Sequence, residues 1–442
     1  MPSTGNASLV GLSALKLRNK SFAGVRVTHG TIGMKTVTID RLGQQGDGVA
    51  VGPIYAPRTL PGEVVNGTLV GDELTEIRIE TPSSHRIAAG CPHYRSCGGC
   101  QLQHASMDFV AAFKRDIVAT ALHFQGVETV VRDTLTSPDQ SRRRASFAAR
   151  RTKKGTLVGF HGRRSDTIVP VPSCILVSPE LVFGQEVAES LALVGASRKA
   201  TLTVTVTTSL EGLDVAVKGG KPLDAPLRIA LAACCEEHRL ARLDWDGELI
   251  GMRQAPTQRM GRAQVLPPPG AFLQATAHGQ NVLLGLVTEI VGDSKTVADL
   301  FAGCGTFSLP LAEQAKVFAY ESVPEMVAAM DAGWRQARGL KKLVAQTRDL
   351  FRRPLMPDEL ARLDAIVIDP PRSGAAAQIA ELAKASVPQI AHVSCNPQTF
   401  ARDAKTLCGS GYVLDWVQPV DQFRWSSHVE LVGAFRLAHM SV

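Results

Sequence analysis

Cys91, Cys97 and Cys100 stand within ten residues of one another in the spacing C-x5-C-x2-C, in a chain of 442 residues with nine cysteines. Thiolates bind soft metals, and the Gly98-Gly99 turn lets the backbone fold tightly enough for successive sulfurs to converge on one centre. Three thiols leave one ligand position to be filled, and Cys174, in Val-Pro-Ser-Cys-Ile-Leu, is the candidate for it. Zinc in a four-cysteine knuckle and an iron–sulfur cluster both fit this spacing, as do free thiols.

A second group lies in the C-terminal half. Asp299-Leu-Phe-Ala-Gly-Cys-Gly-Thr306 follows an apolar run and leads into a helical pattern, so its glycines allow a nucleoside cofactor to approach the backbone. The next run ends in Tyr320-Glu321, whose carboxylate can accept hydrogen bonds from ribose hydroxyls. The third glycine of the dinucleotide fingerprint is missing. With no pyrophosphate to cradle, S-adenosylmethionine is favoured. Asp369-Pro-Pro-Arg372 is similar to the D-P-P-aromatic loop of enzymes that methylate exocyclic amines, with arginine where the aromatic would stack. Ser394-Cys-Asn-Pro397 sets a thiol at the end of a further apolar run, where Cys395 reads as a nucleophile or as an ordinary structural cysteine.

These residues need elements to hold them. Apolar runs at 297–301, 317–321, 365–369 and 390–394 alternate with helical stretches, which predicts a parallel doubly wound sheet with ligands at the carboxyl ends of its strands. Ahead of it, Pro267-Pro-Pro-Gly270 marks a linker. Short alternating runs broken by Gly and Pro from Met34 to about Arg86 predict a small β-barrel, and 107–124 carries apolar residues at helical spacing. The stretch 141–164 interleaves Arg142, Arg143, Arg144, Arg150, Arg151, Lys153 and Lys154 with Phe147, Phe160 and His161, a pattern suited to phosphate contact with base stacking or to a solvated strand face. The expected fold is therefore multidomain α/β. A tail at 1–33 precedes a barrel at 34–86, a central α+β domain at 87–266 and a Rossmann-like domain at 267–442, with the 105–125 helix free to pack on the last.

Composition bounds the function. A net charge of +7 and a pI near 9.0 suit a polyanionic partner. No apolar run approaches the roughly 18 residues a membrane span needs. An odd number of cysteines, several clustered, fits a reducing compartment and a cytoplasmic location. Residues 1–33 hold Lys16, Arg18, Lys20 and Arg26 and no acidic residue, which reads as a disordered tail over a transit segment.

Six ordered motifs carry a resemblance: Leu60-Pro-Gly-Glu63, Cys97-Gly-Gly-Cys100-Gln-Leu-Gln-His104, Asp299 to Gly305, Asp369-Pro-Pro-Arg372, Ser394-Cys-Asn-Pro397 and Ser427-His-Val-Glu430. From Met34 onward the chain resembles the RNA 5-methyluridine (uracil-C5) methyltransferases, specifically the 23S ribosomal RNA subgroup with an N-terminal TRAM domain and a 4Fe–4S cluster. The resemblance implies that Cys91, Cys97, Cys100 and Cys174 hold the cluster. It assigns Gln274, Phe301, Thr306, Glu321, Asp349 and Asp369 to S-adenosylmethionine, Cys395 to nucleophilic attack and Glu430 to general-base catalysis.

The implied partner is RNA, ribosomal RNA before transfer RNA, and the implied state a monomer. A catalytically silent RNA-binding protein is the alternative outside the enzyme class. The chain departs from the family pattern at Thr276, where asparagine is usual, and at Arg424-Trp425-Ser426, where Pro-x-Thr is usual.

Overall fold

The computed structural model describes residues 33–438. The expected tail at 1–33 lies outside the described residues except for Gly33. Six strands between Gly33 and Thr81 pair in one sheet, in the order Gly33–Thr38, Val64–Val70, Glu73–Thr81, Ile54–Ala56, Gly48–Ala50, Arg41–Leu42. The two end strands are joined by Ile39 and Asp40 alone, so the sheet curls back on itself around a small core of Ile39, Ala50, Ile54, Ala56, Val65 and Leu74. Glu63, fully buried, seals its lower edge through a bidentate ion pair with Arg86.

The middle of the chain forms a seven-stranded sheet, ordered Ile168–Val169, Thr156–His161, Arg144–Arg151, Leu202–Ser209, Gly212–Lys218, Arg242–Trp245, Glu248–Met252. Alternation along Leu202–Ser209 sends Leu202, Val204 and Val206 into the core, where the helices Gly184–Gly195 and Ala225–Glu237 meet them. Trp245 fills the centre. It fits only because Gly195 and Gly220 lie against its ring, where a Cβ would come within 2.2 Å.

The C-terminal sheet runs Leu343–Thr347, Lys316–Glu321, Thr296–Leu300, Ala365–Ile368, Gln389–Ser394, Glu430–Leu437, Tyr412–Asp421, Val130–Val131. Its first five strands are parallel and Glu430–Leu437 is antiparallel to both neighbours. The five parallel strands are Val-, Ile- and Ala-rich because helices cover both faces.

Packing moves several pieces of the expected central domain onto the last one, among them the 105–125 helix, as the sequence allowed. The helix Met107–Phe124 contributes Val118, Ala121 and Leu122 to the catalytic core, and Val130–Val131 and Leu135–Thr136 add to the edge strand Tyr412–Asp421. The hairpin Gln258–Met260/Ala263–Val265 packs in the same body through Met260, Ala263 and Val265. The chain therefore leaves this body near 137 and returns near 258. The two crossings are neighbours: Thr208 donates its N–H to Arg143 O (2.9 Å) and its carbonyl accepts from Gln258 Nε2 (2.7 Å).

Candidate active site

The carboxyl ends of the parallel strands carry the candidate residues. Thr296–Leu300 ends at Phe301, which with Gly303 and Gly305 adopts positive φ (63°, 56° and 94°). A Cβ added at Gly303 would meet open space, so that backbone faces outward from the sheet edge. The Gly303 N–H donates to Glu321 Oε2 at 3.0 Å, and Glu321 Oε1 accepts from Ser322 N and Val323 N at 2.7 and 3.0 Å. Glu321 is thereby fixed at the end of Lys316–Glu321, beside the glycine loop. Asp349 accepts from the N–H of Phe351 at 3.0 Å, a turn that brings Phe351 to 5.4 Å from the Phe301 ring. Thr306 lies half-buried between this loop and the short helix Ser308–Leu311.

Asp369, after Ala365–Ile368, donates its N–H to Leu300 O and so stands next to Phe301. Gln274 is 3% exposed and reaches across from the segment ahead of the helix Ala277–Val291, its Nε2 donating to Asp369 Oδ2 at 3.3 Å. Arg143 holds Gln274 from behind through a 3.1 Å bond to its carbonyl and a 2.7 Å bond to Gln280. Thr276 accepts from Gly279 N at 2.8 Å and caps that helix, which accounts for a hydroxyl residue there.

Cys395 and Glu430 come together by strand register. Ser394 pairs with Leu431, which sets the next residue, Cys395, against Glu430. Burial pushes the Glu430 carboxyl up to about 8; the nearby Asp369 adds to this and Gln422 opposes it. Burial also raises Asp369 to about 7 and Asp299, beneath it, to about 7. The Cys395 thiol is pushed up to about 11, first by burial and then by Glu430 and Asp369, while Arg372 works in the other direction. Asn396 fixes the loop on which Arg372 sits, donating Nδ2 to the Arg372 carbonyl at 3.0 Å. A thiol, two high-pKa carboxyls and a glycine loop at one sheet edge can perform nucleophilic addition and proton removal beside a nucleoside cofactor.

The four cysteines of the other motif line one pocket, with Tyr94, Gly99, Gln103, Phe160, Val171, Ile175 and Leu176 as its remaining walls. Burial lifts the Cys100 thiol to about 12, and the neighbouring thiols add to it. The loop is pinned to the middle sheet by Gly98 N donating to His161 O (2.9 Å), an approach a side chain at Gly98 would block. Among the described residues no group of three or more His, Cys, Asp or Glu is drawn up to hold a single metal ion. The loop also touches the catalytic body, since Gln101 N and Leu102 N both donate to Trp425 O.

Three residues of this architecture escape a reading by motif. Lys114, fully buried on the helix Met107–Phe124, pairs with Asp421 at 2.6 Å, and Gln422 joins Gln274 to the segment bearing Glu430. Arg143 is the third, read from sequence only as one charge in a basic run. Their partners lie more than a hundred residues away, so no local spacing announces them.

The profile of the tRNA (Uracil-5-)-methyltransferase family matches residues 264–436, the stretch that holds Gln274, Asp369, Cys395 and Glu430. A protein of Rhizobium meliloti (strain 1021) described as an RNA methyltransferase is 43% identical over 407 residues, covering 90% of this chain and 98% of the relative. The chain belongs to the RNA uracil-5-methyltransferase family. The 23S rRNA (uracil(1939)-C(5))-methyltransferase RlmD of Shewanella sp. (strain ANA-3) is 30% identical over 435 residues, with 91% of this chain and 96% of the relative covered. In fold the chain is similar to the Pyrococcus abyssi tRNA (uracil-54, C5)-methyltransferase, with a TM-score of 0.71, 23% identity, and coverage of 90% of this chain and 99% of that one. As a family member it is an RNA methyltransferase, an enzyme of the methyl-transferring class. Among the described residues no helix is long and apolar enough to cross a membrane.

Proposed function

We propose that the protein methylates uracil C5 in 23S ribosomal RNA, with Cys395 as nucleophile and Glu430 as general base. The observation that carries this reading is the register that sets Cys395 against Glu430 at the edge of a sheet whose glycine loop faces open space at Gly303. Similarity to the Shewanella enzyme along nearly the whole of both chains supports the ribosomal substrate.

The residues at the sheet edge suit S-adenosylmethionine. Gln274, Phe301, Thr306, Glu321, Asp349 and Asp369 would hold it, with the Glu321 carboxylate as an acceptor for ribose hydroxyls. When bound, that cofactor supplies a methyl group on a positive sulfonium. Uracil C5 is a weak nucleophile until a thiolate adds at C6 and makes the ring an enolate. Cys395 would release its thiol proton to water as its sulfur adds, the C6–S bond forming while the C5–C6 π pair moves to C5; that pair would take the methyl group, leaving the sulfonium sulfur as a neutral thioether. The proton still on C5 then passes to Glu430, the C6–S bond breaks and the thiolate leaves.

Cys91, Cys97, Cys100 and Cys174 fit a 4Fe–4S cluster by number and type of donor, and mostly apolar walls, with Gln103 as a polar member, surround the pocket they share. A cluster spreads its ligands more widely than one ion does, which accommodates four thiols not gathered for a single metal. All four side chains would serve as ligands, so its contribution is structural: it would brace the loop between the middle sheet and the Trp425 segment.

The covalent step is tested with Glu430→Gln. Incubated with RNA and S-adenosylmethionine, this variant should accumulate a protein–RNA adduct stable on a denaturing gel. Full activity of Cys395→Ala together with no adduct would remove the nucleophile assignment. Mapping 5-methyluridine in cells lacking the protein tests the substrate: a site lost from transfer RNA, with 23S rRNA unchanged, would overturn the ribosomal reading.

A further inference from the structure

Gln422 directly follows the strand Tyr412–Asp421 and is 2% exposed. Both ends of its amide are engaged. Oε1 accepts the Ala275 N–H at 2.9 Å, and Nε2 donates to Gln274 Oε1 at 2.6 Å. A backbone N–H can only donate, so Gln422 must turn its oxygen toward Ala275 and has only its NH2 left for Gln274. That in turn obliges Gln274 to accept with its oxygen and to aim its own NH2 at Asp369 Oδ2 (3.3 Å). Reversing Gln274 would set amine against amine on one side and carbonyl against carboxylate on the other.

The lock is itself rigid. Asp421, the preceding residue, is paired to buried Lys114, and Lys114 Nζ also donates to Phe423 O at 3.1 Å, so Gln422 is gripped on both sides. The helix start at Gly279 lies so close that a Cβ there would come within 2.8 Å of Gln422 Cβ.

We propose that Gln422 is a positioning residue that fixes the donor end of Gln274 beside the Asp369 acceptor, and that this fixed pair makes the site accept uracil and reject cytosine. The inference rests on the uracil-C5 reading above. Uracil presents a carbonyl at O4 next to an N3–H donor, whereas cytosine presents an amine donor at N4 next to an N3 acceptor. The Gln274 NH2 keeps a second N–H for a carbonyl, and the Asp369 carboxylate accepts an N–H. Together they complement uracil. Cytosine would bring an amine against an amine and a lone pair against a carboxylate, a mismatch of buried polar groups of the kind that enzymes use for strong rejection. If Gln274 were free to turn over, its carbonyl would suit the cytosine amine and the discrimination would weaken.

The test uses the full-length protein and two RNA oligonucleotides that differ only in uridine or cytidine at the target. Methylation of the uridine RNA gives kcat/KM, and competition by the cytidine RNA gives its inhibition constant. Gln422→Glu is nearly isosteric and keeps the acceptor for Ala275 N–H while removing the donor to Gln274. Gln422→Met removes both polar ends at similar volume. Both variants should lower kcat/KM on uridine RNA by at least ~10-fold, and the cytidine RNA should compete at least ~10-fold better relative to uridine RNA. A purely structural role predicts weaker binding of both RNAs with their ratio unchanged. An unchanged ratio in either folded variant, judged by its thermal melt, overturns the proposal. If the wild type fails to methylate the uridine RNA, it is the uracil-C5 reading that fails, and this inference falls with it.

Discussion

The N–H of Gln101 donates to the carbonyl of Trp425 at 2.7 Å, one residue after Cys100 and five before Glu430. Leu102 N–H reaches the same carbonyl at 2.9 Å, and Trp425 holds a positive φ of 59°, a conformation that a non-glycine residue keeps only where its surroundings enforce it. The cysteine loop is thus a direct support for the turn that leads into the strand of Glu430.

Loss of the cysteine site should therefore be felt at Glu430. Protein purified without oxygen is expected to be brown with about four irons per chain. Cys174→Ala should lose the colour and shift tryptophan emission to longer wavelength as Trp425, 8% exposed, opens to water. Its methylation rate should fall at least ~10-fold, a loss typical when a support displaces a catalytic group. Stoichiometric zinc in place of iron would reverse the cluster assignment.

Lys114 and Asp421 form an ion pair whose side chains are both fully buried. Lys114→Met strands Asp421 without its partner and should cost about 3–5 kcal/mol in urea unfolding. Adding Asp421→Asn should return a large part of that loss, because the stranded charge is gone. A single variant as stable as wild type would show that water reaches Asp421.

The raised Glu430 carboxyl has two consequences for pH. Breakdown of the RNA adduct requires ionised Glu430, so its rate should climb about tenfold per pH unit at low pH and level off near 8. Stability runs the opposite way. Glu430, Asp369 and Asp299 hold protons in the native protein that the unfolded chain releases at ordinary carboxyl values, so their contribution is greatest at acid pH and is lost as pH rises through about 7 to 8. Glu430→Gln should accordingly raise the melting temperature more at pH 8 than at pH 5. The reverse order in a calorimetric comparison would contradict the burial of an acidic base.

Gly195→Ala should destabilise the middle sheet by about 1–3 kcal/mol, since the new methyl has no room beside Trp245. Chemical unfolding followed by Trp245 emission reads this directly. A neutral result would mean that the Trp245 ring can move aside.

How much of this was legible in the chain depends on the range of the interactions. Runs at 297–301, 317–321, 365–369 and 390–394 announced strands because they are buried on both faces, and the strands lie within a residue of those bounds. Phe301, Glu321, Asp369 and Cys395 could be placed at strand ends for the same reason. Lys114 could not be placed. On a helix wheel it is one more cation, and only Asp421, 307 residues away, makes it a core residue. The expected boundary at 266 failed in the same manner: Pro267-Pro-Pro-Gly270 reads as a linker, yet the hairpin before it packs on the helix Pro324–Gln336, and Arg242 Nη2 binds the Pro267 carbonyl. Gln422 carries no local signal, since its partner Gln274 lies 148 positions earlier.

The two crossings that meet at Thr208 make the stretch between them a single excursion from a body that is continuous in space although split in sequence. Adjacent ends let the loops of this unit change length without breaking the sheet that carries Cys395 and Glu430, so long as Arg143 and Cys174 stay in place. An insertion in an exposed turn of this unit, away from Arg143 and Cys174, is therefore expected to leave the pairing of the Cys395 and Glu430 strands undisturbed.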